Sequence, residues 1–446
     1  MRMRPPFLVL LLLLSPATAQ AQSLDVVSAV QRAVTDRPTI LASQAQGQSA
    51  ASAVREARSL YLPKIVFSET FSMSNEPAGS LFIALNQERN VMSPDSSYNL
   101  VNPDTQQDFD TRLTLEQALF DADAGYRIKE AKKRLESAQA RSDWSRESAG
   151  FAAFQAYLGV QNALAERQAT QTGAVEANEV LRIADERYAA GIGLKADQLR
   201  AMVFHSEASR RALTARNNVI IAQRRLALAI GQTEGEITIS APLDSSFFDS
   251  SPTAAVADRA DLQAVALEVE SLAIATKRSQ AAYLPRIDFS GSYALHNESS
   301  PFGADAQAWH LGAALKWELF DGFRRDASSA RVSAEKAAAV ANLSDARREQ
   351  NFRRAEVELR IAEARARKES AEQGLVAAKE GQRLLQQRYE SGLTDLVDLL
   401  ATQSALDQAR SFVVAADIQL LFSLGQALLE DGRFVSTILT KDEVSP

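Results

Sequence analysis

Two long stretches of this chain, residues 121–190 and 321–391, contain no proline. Proline lacks the backbone N–H and clashes with the preceding turn, so it breaks helix interiors. Its absence over such lengths predicts two continuous helices. At ~1.5 Å per residue each would reach about 105 Å, whereas ordinary globular helices average about 11–12 residues. The apolar positions form narrow stripes, such as Phe151, Phe154 and Leu158, with many Ala, while Arg, Glu and Gln fill much of the rest. A narrow seam of small residues is the chemistry of helices packed side by side. Charged faces left on both sides suit a wall wetted inside and out.

The chain is also duplicated, and a repeat governs any fold assignment. "YLPKIVFS" from Tyr61 recurs as "YLPRIDFS" from Tyr283, and Asp36-Arg37 recurs at the same offset as Asp258-Arg259. Leu119-Phe120-Asp121 recurs at a shorter offset as Leu319-Phe320-Asp321. "RYAAG" from Arg187 recurs as "RYESG" from Arg388, and Gly231 and Gly432 keep that last offset. The first copy therefore carries an insertion between Phe71 and Phe109.

Each copy reads as helix, strand, loop, strand, long helix, turn, helix. The first repeat spans 22–240, with a helix over 22–60, strands near 64–74 and 109–119, a long helix over 121–190 and a helix over 193–231. A linker follows at 241–257. The second repeat spans 258–432, with strands near 286–296 and 308–319, a long helix over 321–391 and a helix over 394–431. A tail covers 433–446. The strands alternate with period two. Ile65, Phe67, Phe71 and Met73 oppose Ser68, Thr70 and Ser72, and Trp309, Leu311, Leu315 and Trp317 oppose His310, Lys316 and Glu318. About 10 residues suits a tilted membrane strand, but on strand pattern alone a half-buried soluble sheet is the better reading, and it is the long helices that shift the balance. Trp309, Trp317, Tyr293 and Phe302 fit either an interfacial aromatic belt or a sheet core. Residues 75–107 and 297–307 read as polar loops at the outer ends of the strands.

Composition narrows the classes. Lys+Arg number 49 against 56 Asp+Glu, a net charge of −7 that argues against nucleic acid as a partner. Cysteine is absent, which removes disulfides, thiolate metal sites and an N-terminal lipidated Cys. His205, His296 and His310 have no metal-ligand spacing and look incidental. No catalytic constellation, cofactor site or metal site emerges, so the chain is not expected to be an enzyme. Arg2 and Arg4, the apolar run from Phe7 to Leu14 and the small residues near Ala19 and Ala21 make residues 1–21 a secretory signal. The mature protein is exported.

Four strands cannot close a barrel, and an open sheet edge in lipid leaves unpaired N–H and C=O groups at several kcal/mol each. If these are membrane strands, the chain must oligomerise. Two copies give 8 strands and three give 12, and arithmetic alone does not choose. At this point the paired "YLP[KR]I" motifs, the paired "LFD" strand exits, the paired "RY-x-x-G" turns with their following Asp, and "LFIALNQERN" in the first loop carry a resemblance. In order, duplication and spacing the chain resembles the TolC-type outer-membrane efflux family over nearly its whole mature length. The resemblance implies a mainly α protein with membrane β structure. Its internally duplicated protomer would form a homotrimer: a 12-stranded outer-membrane β-barrel continued by a 12-helix periplasmic α-barrel. Residues 233–257 and the C-terminal tail would form an equatorial collar.

The resemblance also implies roles for residues at the two helical turns. Ala190-Gly191-Ile192 and Ser391-Gly392-Leu393 would be the tips where a periplasmic membrane-fusion adaptor docks. Asp398, six residues after Gly392, would form a ring of carboxylates at the periplasmic entrance, attracting cations and repelling anions. Asp197, six after Gly191, would hydrogen-bond Tyr389 and latch the closed state. Thr394 stands where some members carry an Arg, and Ala401 where some carry a second acid, so the latch would be weaker and the ring single. The function implied is a passive exit duct for efflux or type I secretion. Its energy would come from an inner-membrane pump of the RND, ABC or MFS type, with outer-membrane lipid around the barrel. A soluble periplasmic coiled-coil scaffold is the alternative. It accounts for the helices but not for four membrane-length strands.

Overall fold

The computed structural model describes residues 22–91, 98–232, 237–248 and 259–440. The expected signal peptide, residues 249–257 of the expected linker and 441–446 of the tail lie outside them. The chain divides into two units, and neither follows a repeat: each draws segments from both.

One unit comprises residues 43–142 and 260–347. It holds a four-stranded antiparallel sheet in the order β2 (Lys64–Ser74), β3 (Gln106–Phe120), β5 (Arg286–Asn297), β6 (Ala306–Lys316). The period-two pattern explains its faces. Odd-numbered positions place Ile65, Phe67, Phe71, Leu113, Tyr293, Trp309, Leu311 and Leu315 on one side, all exposed. Even-numbered positions place Ser68, Arg112, Thr114, Ser290, Ser292 and His310 on the other. Glu69 breaks the pattern, lying between Phe67 and Phe71 on the apolar face, where the Thr111 hydroxyl directly across from it donates to its carboxylate.

The repeated motifs have matched jobs in this unit. Gln117 and Trp317 occupy equivalent positions, and each donates to the carbonyl of the repeated tyrosine: Gln117 Nε2 to Tyr61 at 3.2 Å, Trp317 Nε1 to Tyr283 at 3.0 Å. The tyrosine hydroxyls in turn reach the start of the long helix that follows, Tyr61 to the Asp121 carbonyl and Tyr283 to the Asp326 carboxylate. The "LFD" aspartates satisfy helix-start N–H groups that lack an intrahelical partner. Asp121 accepts from Ala124 N–H at 3.1 Å and Asp321 from Arg325 N–H at 3.1 Å. Helix α6 (Ala260–Ala281) is tied to the first turns of α4 (Ala122–Ala189) by Ser137 Oγ donating to the Ala264 carbonyl at 2.9 Å and by Arg278–Glu130 at 2.6 Å.

Two expectations change here. The polar loop 75–107 contains a helix, α3 (Pro77–Asn86), opened by Pro77 at a helix-start position where no N–H is needed. His296 is not incidental. It is 3 % exposed, with Nδ1 2.7 Å from Asp108 Oδ2, while Gln87 at the end of α3 donates to Asp108 Oδ1 at 2.9 Å. The buried pair thus holds the loop helix to β3. The strand and long-helix limits also move, to 106–120, 306–316, 122–189 and 324–390.

The other unit comprises 22–42, 143–259 and 348–440 of the described chain. The helix expected over 22–60 is three elements: β1 (Gln22–Leu24), α1 (Val26–Thr35) and α2 (Pro38–Ser59), the last of which leaves this unit after Ala42. Pro38 forces the break, because the residue before a proline is pushed out of helical conformation. β1 pairs in parallel with β4 (Ile237–Ile239). The core gathers Val30 and Val34 of α1, Phe154, Tyr157 and Leu158 of α4, Leu226 of α5 (Lys195–Ala229), Leu421 of α8 (Leu396–Glu430) and Phe434 and Ile438 of α9 (Phe434–Leu439). Tyr157 and Gln161 of α4 strap the segment after β4, donating to the Ala241 and Leu243 carbonyls at 2.6 and 2.7 Å.

Gly231 and Gly432 close the two repeats at φ +83° and +68°. A Cβ on Gly231 would meet the Arg37 Cα at 3.1 Å, and one on Gly432 the Arg259 Cα at 3.3 Å. Each repeat's final glycine therefore packs on the arginine of its opening Asp-Arg pair, which explains why these distant motifs recur together. Among the described residues α8 alone is long and apolar enough to cross a membrane by length and composition. Its Leu399, Leu406 and Leu420 are buried within this unit.

Candidate functional site

The two helix-to-helix turns lie in the helical unit and share one construction. In the first, Gly191 N–H donates to the Tyr188 carbonyl at 3.1 Å and Ile192 N–H to the Arg187 carbonyl at 3.1 Å. In the second, Gly392 N–H donates to Tyr389 at 3.0 Å and Leu393 N–H to Arg388 at 2.8 Å. This double pattern is the Schellman cap. It requires a left-handed residue, and both glycines stand at φ +75°. The cap normally seats the following apolar residue against its own helix. Here Ile192 and Leu393 remain 70 % and 69 % exposed.

Asp197 and Asp398 each occupy the third position of the helix after the turn, in α5 and α8. A carboxylate there is favoured by the positive end of the helix dipole. Asp398 is exposed and accepts a hydrogen bond from Thr394 Oγ1 at 3.1 Å. Asp197 pairs loosely with Arg200, at 3.7 Å. Beneath the turns, Val180 and Ala184 of α4, Ala201 of α5, Tyr389 of α7 (Arg324–Glu390) and Leu396 and Leu399 of α8 form a small core.

Tyr389 is 4 % exposed. Burial pushes its hydroxyl above the usual phenol range, the Arg187 charge opposes this, and the Asp197 charge adds to it. Asp197 thus lies within electrostatic reach of Tyr389, but the two share no hydrogen bond here. The contact that joins the turns comes from Arg187, whose Nη1 donates to the Tyr389 carbonyl at 2.8 Å.

A second cluster ties α4, α5 and α8 farther from the turns. Arg410 grips Glu176 with two hydrogen bonds of 2.7 Å, and Gln403, fully buried, donates to Glu176 at 2.5 Å. Asp407 pairs with Arg211 at 3.1 Å. Gly173 makes room for it, since a Cβ there would lie 2.8 Å from Asp407 Oδ1. Burial pushes Asp407 above the usual carboxylate range against the pull of Gln403 and the two arginines. Burial pushes Glu176 up as well, but Arg410 and Gln403 outweigh it and hold it below that range. Among the described residues no group of three or more His, Asp or Glu is placed to hold a metal ion.

The profile of the outer membrane efflux protein family matches residues 29–232 and 252–425. The chain belongs to that family. Solved structures of similar fold agree. The outer membrane protein VceC of Vibrio cholerae is 18 % identical, with a TM-score of 0.76 over 92 % of this chain and 96 % of that one. CusC, solved in a study of conformational changes accompanying folding and transmembrane channel formation, is 13 % identical, with a TM-score of 0.80 over 93 % and 95 %. The open state of the Neisseria gonorrhoeae MtrE outer membrane channel is 16 % identical, with a TM-score of 0.70 over 94 % of each chain. A search of curated protein sequences found no match. At these identities the likeness establishes the fold, and the family match places this member among outer-membrane efflux channels.

Sequence reasoning passed over Arg187 and the Glu176 cluster. Arg187 opens the repeated "RY-x-x-G" motif, so its position was visible, but nothing in the sequence says which of the two motif arginines crosses between hairpins. Glu176 and Arg410 lie in different repeats, and no spacing rule links them.

Proposed function

We propose that three copies of this chain close into one outer-membrane duct that conducts solutes out of the periplasm. The observation that carries this is the four-stranded sheet. Both of its outer strands, β2 and β6, have an unpaired edge, and one face presents the exposed Ile65, Phe67, Phe71, Leu113, Tyr293, Trp309, Leu311 and Leu315, with Glu69 as its charged exception. In lipid an open edge costs several kcal/mol per unpaired group. Pairing β6 of one copy with β2 of the next removes every edge and turns the apolar face to the hydrocarbon. A soluble scaffold has no use for such a face. Three copies give 12 strands, and the long helices α4, α5, α7 and α8 of each would form a 12-helix periplasmic barrel.

The turns would be its periplasmic entrance. Around a three-fold axis Asp398 forms a carboxylate ring that favours cations. Asp197, Tyr389 and Thr394 would bear on the closed state, the pairing of Asp197 with Tyr389 resting on the family resemblance. The exposed Ile192 and Leu393, beside Ala190, Gly191, Ser391 and Gly392, offer apolar tips for a periplasmic adaptor, since an exposed apolar patch marks an interaction surface. An inner-membrane pump of the RND, ABC or MFS type would supply the energy, because a duct without a catalytic site does no work of its own.

Planar-bilayer conductance of the detergent-extracted, signal-cleaved protein tests this reading. Discrete cation-preferring steps are expected. Recovery of the protein in the soluble periplasmic fraction as a monomer, with no steps at any voltage, would overturn it.

A further inference from the structure

Arg187 belongs to the first hairpin, four residues before Gly191, yet its side chain serves the second. Its Nη1 donates to the Tyr389 carbonyl at 2.8 Å, and its guanidinium lies 5.0 Å from the centre of the Tyr389 ring. A Cβ on Gly392 would stand 3.7 Å from its Nη2, so the group rests against the turn itself. The Tyr389 carbonyl is in the last turn of α7 and also accepts the Gly392 N–H at 3.0 Å. A cation there meets the negative end of the helix dipole, and stacking on an aromatic face adds attraction.

The repeat makes the contact informative. Arg388 occupies the equivalent place before Gly392, but its side chain is exposed and makes no hydrogen bond or ion pair among the described residues. The equivalent tyrosines differ too. Tyr389 is buried, while Tyr188 is 42 % exposed with Lys195 above its ring at 4.9 Å. Duplication supplied two Arg-Tyr pairs, and one of them has been turned across the hairpins.

We propose that Arg187 is the positioning residue that clasps the α7–α8 hairpin to the α4–α5 hairpin and so holds the entrance shut. The clasp rests on the reading of the turns as an entrance. It supplies from the first hairpin a cation that Thr394, an uncharged residue, does not supply from the second. Separating the hairpins breaks the hydrogen bond and the ring stacking together. Had Arg187 only capped α7, its loss would loosen one helix end without changing conduction.

The test is conductance of the full-length trimer in planar bilayers for Arg187→Gln, Arg187→Lys and Arg388→Gln, with trimer melting measured in parallel. Arg187→Gln is expected to raise open probability about tenfold, the worth of one charge-assisted hydrogen bond. Arg187→Lys keeps the charge but not the planar fork, and should give an intermediate rise. Arg388→Gln should match wild type. An Arg187→Gln trimer whose conduction matches wild type, silent or not, overturns the clasp. So does an equal rise for Arg388→Gln. If Arg187→Gln fails to assemble, Arg187→Lys decides alone, and wild-type conduction in it overturns the clasp. A chain that is soluble and monomeric in every variant overturns the duct reading itself.

Discussion

Asp197 and Asp398 are equivalent by repeat but not by setting. Asp197 is partly covered and lies near Tyr389, whereas Asp398 is open to solvent with Thr394 as its hydrogen-bond donor. That exposure is what the proposed entrance ring needs, since its charge would have to reach solvent. Asp398→Asn is expected to lower the cation-to-anion permeability ratio severalfold without altering trimer melting, measured as the reversal potential across a salt gradient. An unchanged reversal potential would remove Asp398 from the entrance. The place of both aspartates at a helix start was legible in the sequence, because each falls six residues after a turn glycine and the spacing repeats, while their roles came from the resemblance alone. The side chain that joins the turns was not. Both motifs begin Arg-Tyr, and the choice of Arg187 over Arg388 depends on which tyrosine the small core beneath the turns buries.

Single contacts add up to ties between helices, and the Glu176 cluster is the clearest. Glu176 titrates below its ordinary 4.5, so the stability it lends α4 and α8 is complete above that value. That stability is lost as pH falls through the folded-state value. Asp407 titrates above its ordinary 3.8, so its penalty is complete above the folded-state value and fades as pH falls. Glu176→Gln should therefore lower the melting temperature by roughly a few degrees at pH 7.5 and by less as the pH is taken below 4.5. Asp407→Asn should leave the pH 7.5 value unchanged or raise it. Thermal melts across that pH range check both. Elements were legible in proportion to their periodicity. The long helices and alternating strands declared themselves over many residues. The short α3 did not, because its polar, proline-bearing surroundings resemble a loop until Gln87 meets Asp108. The break before Pro38 was written in the chain. Its meaning depended on β1 pairing with β4, a parallel contact between the two ends of the first repeat.

At the scale of the molecule the repeat carries over from sequence into register. Lys64 faces Glu116 in one hairpin, and at equivalent positions Arg286 faces Lys316 in the other. Between hairpins Glu116 faces Ser290. In the proposed trimer, advancing that contact by one repeat would set Lys316 of one copy opposite Ser68 of the next. The chain has no cysteine, so Ser68→Cys with Lys316→Cys introduces only the pair of interest. Oxidation should convert this double variant to covalent trimers on a denaturing gel. Faster linkage of Ser68→Cys to Ala314→Cys or Glu318→Cys would mean a shifted register. The helical part obeys a different arithmetic. α4 and α7 contain 68 and 67 residues, and both end in the same glycine turn. Inserting one residue into either between the core and its turn moves that turn about 1.5 Å and rotates it about 100°. Arg187 would then no longer reach Tyr389. Lengthening or shortening that stretch with the contacts kept would take matched edits in α4, α5, α7 and α8, in steps of about seven residues that restore the seam. The two turns stay level only while those four lengths agree.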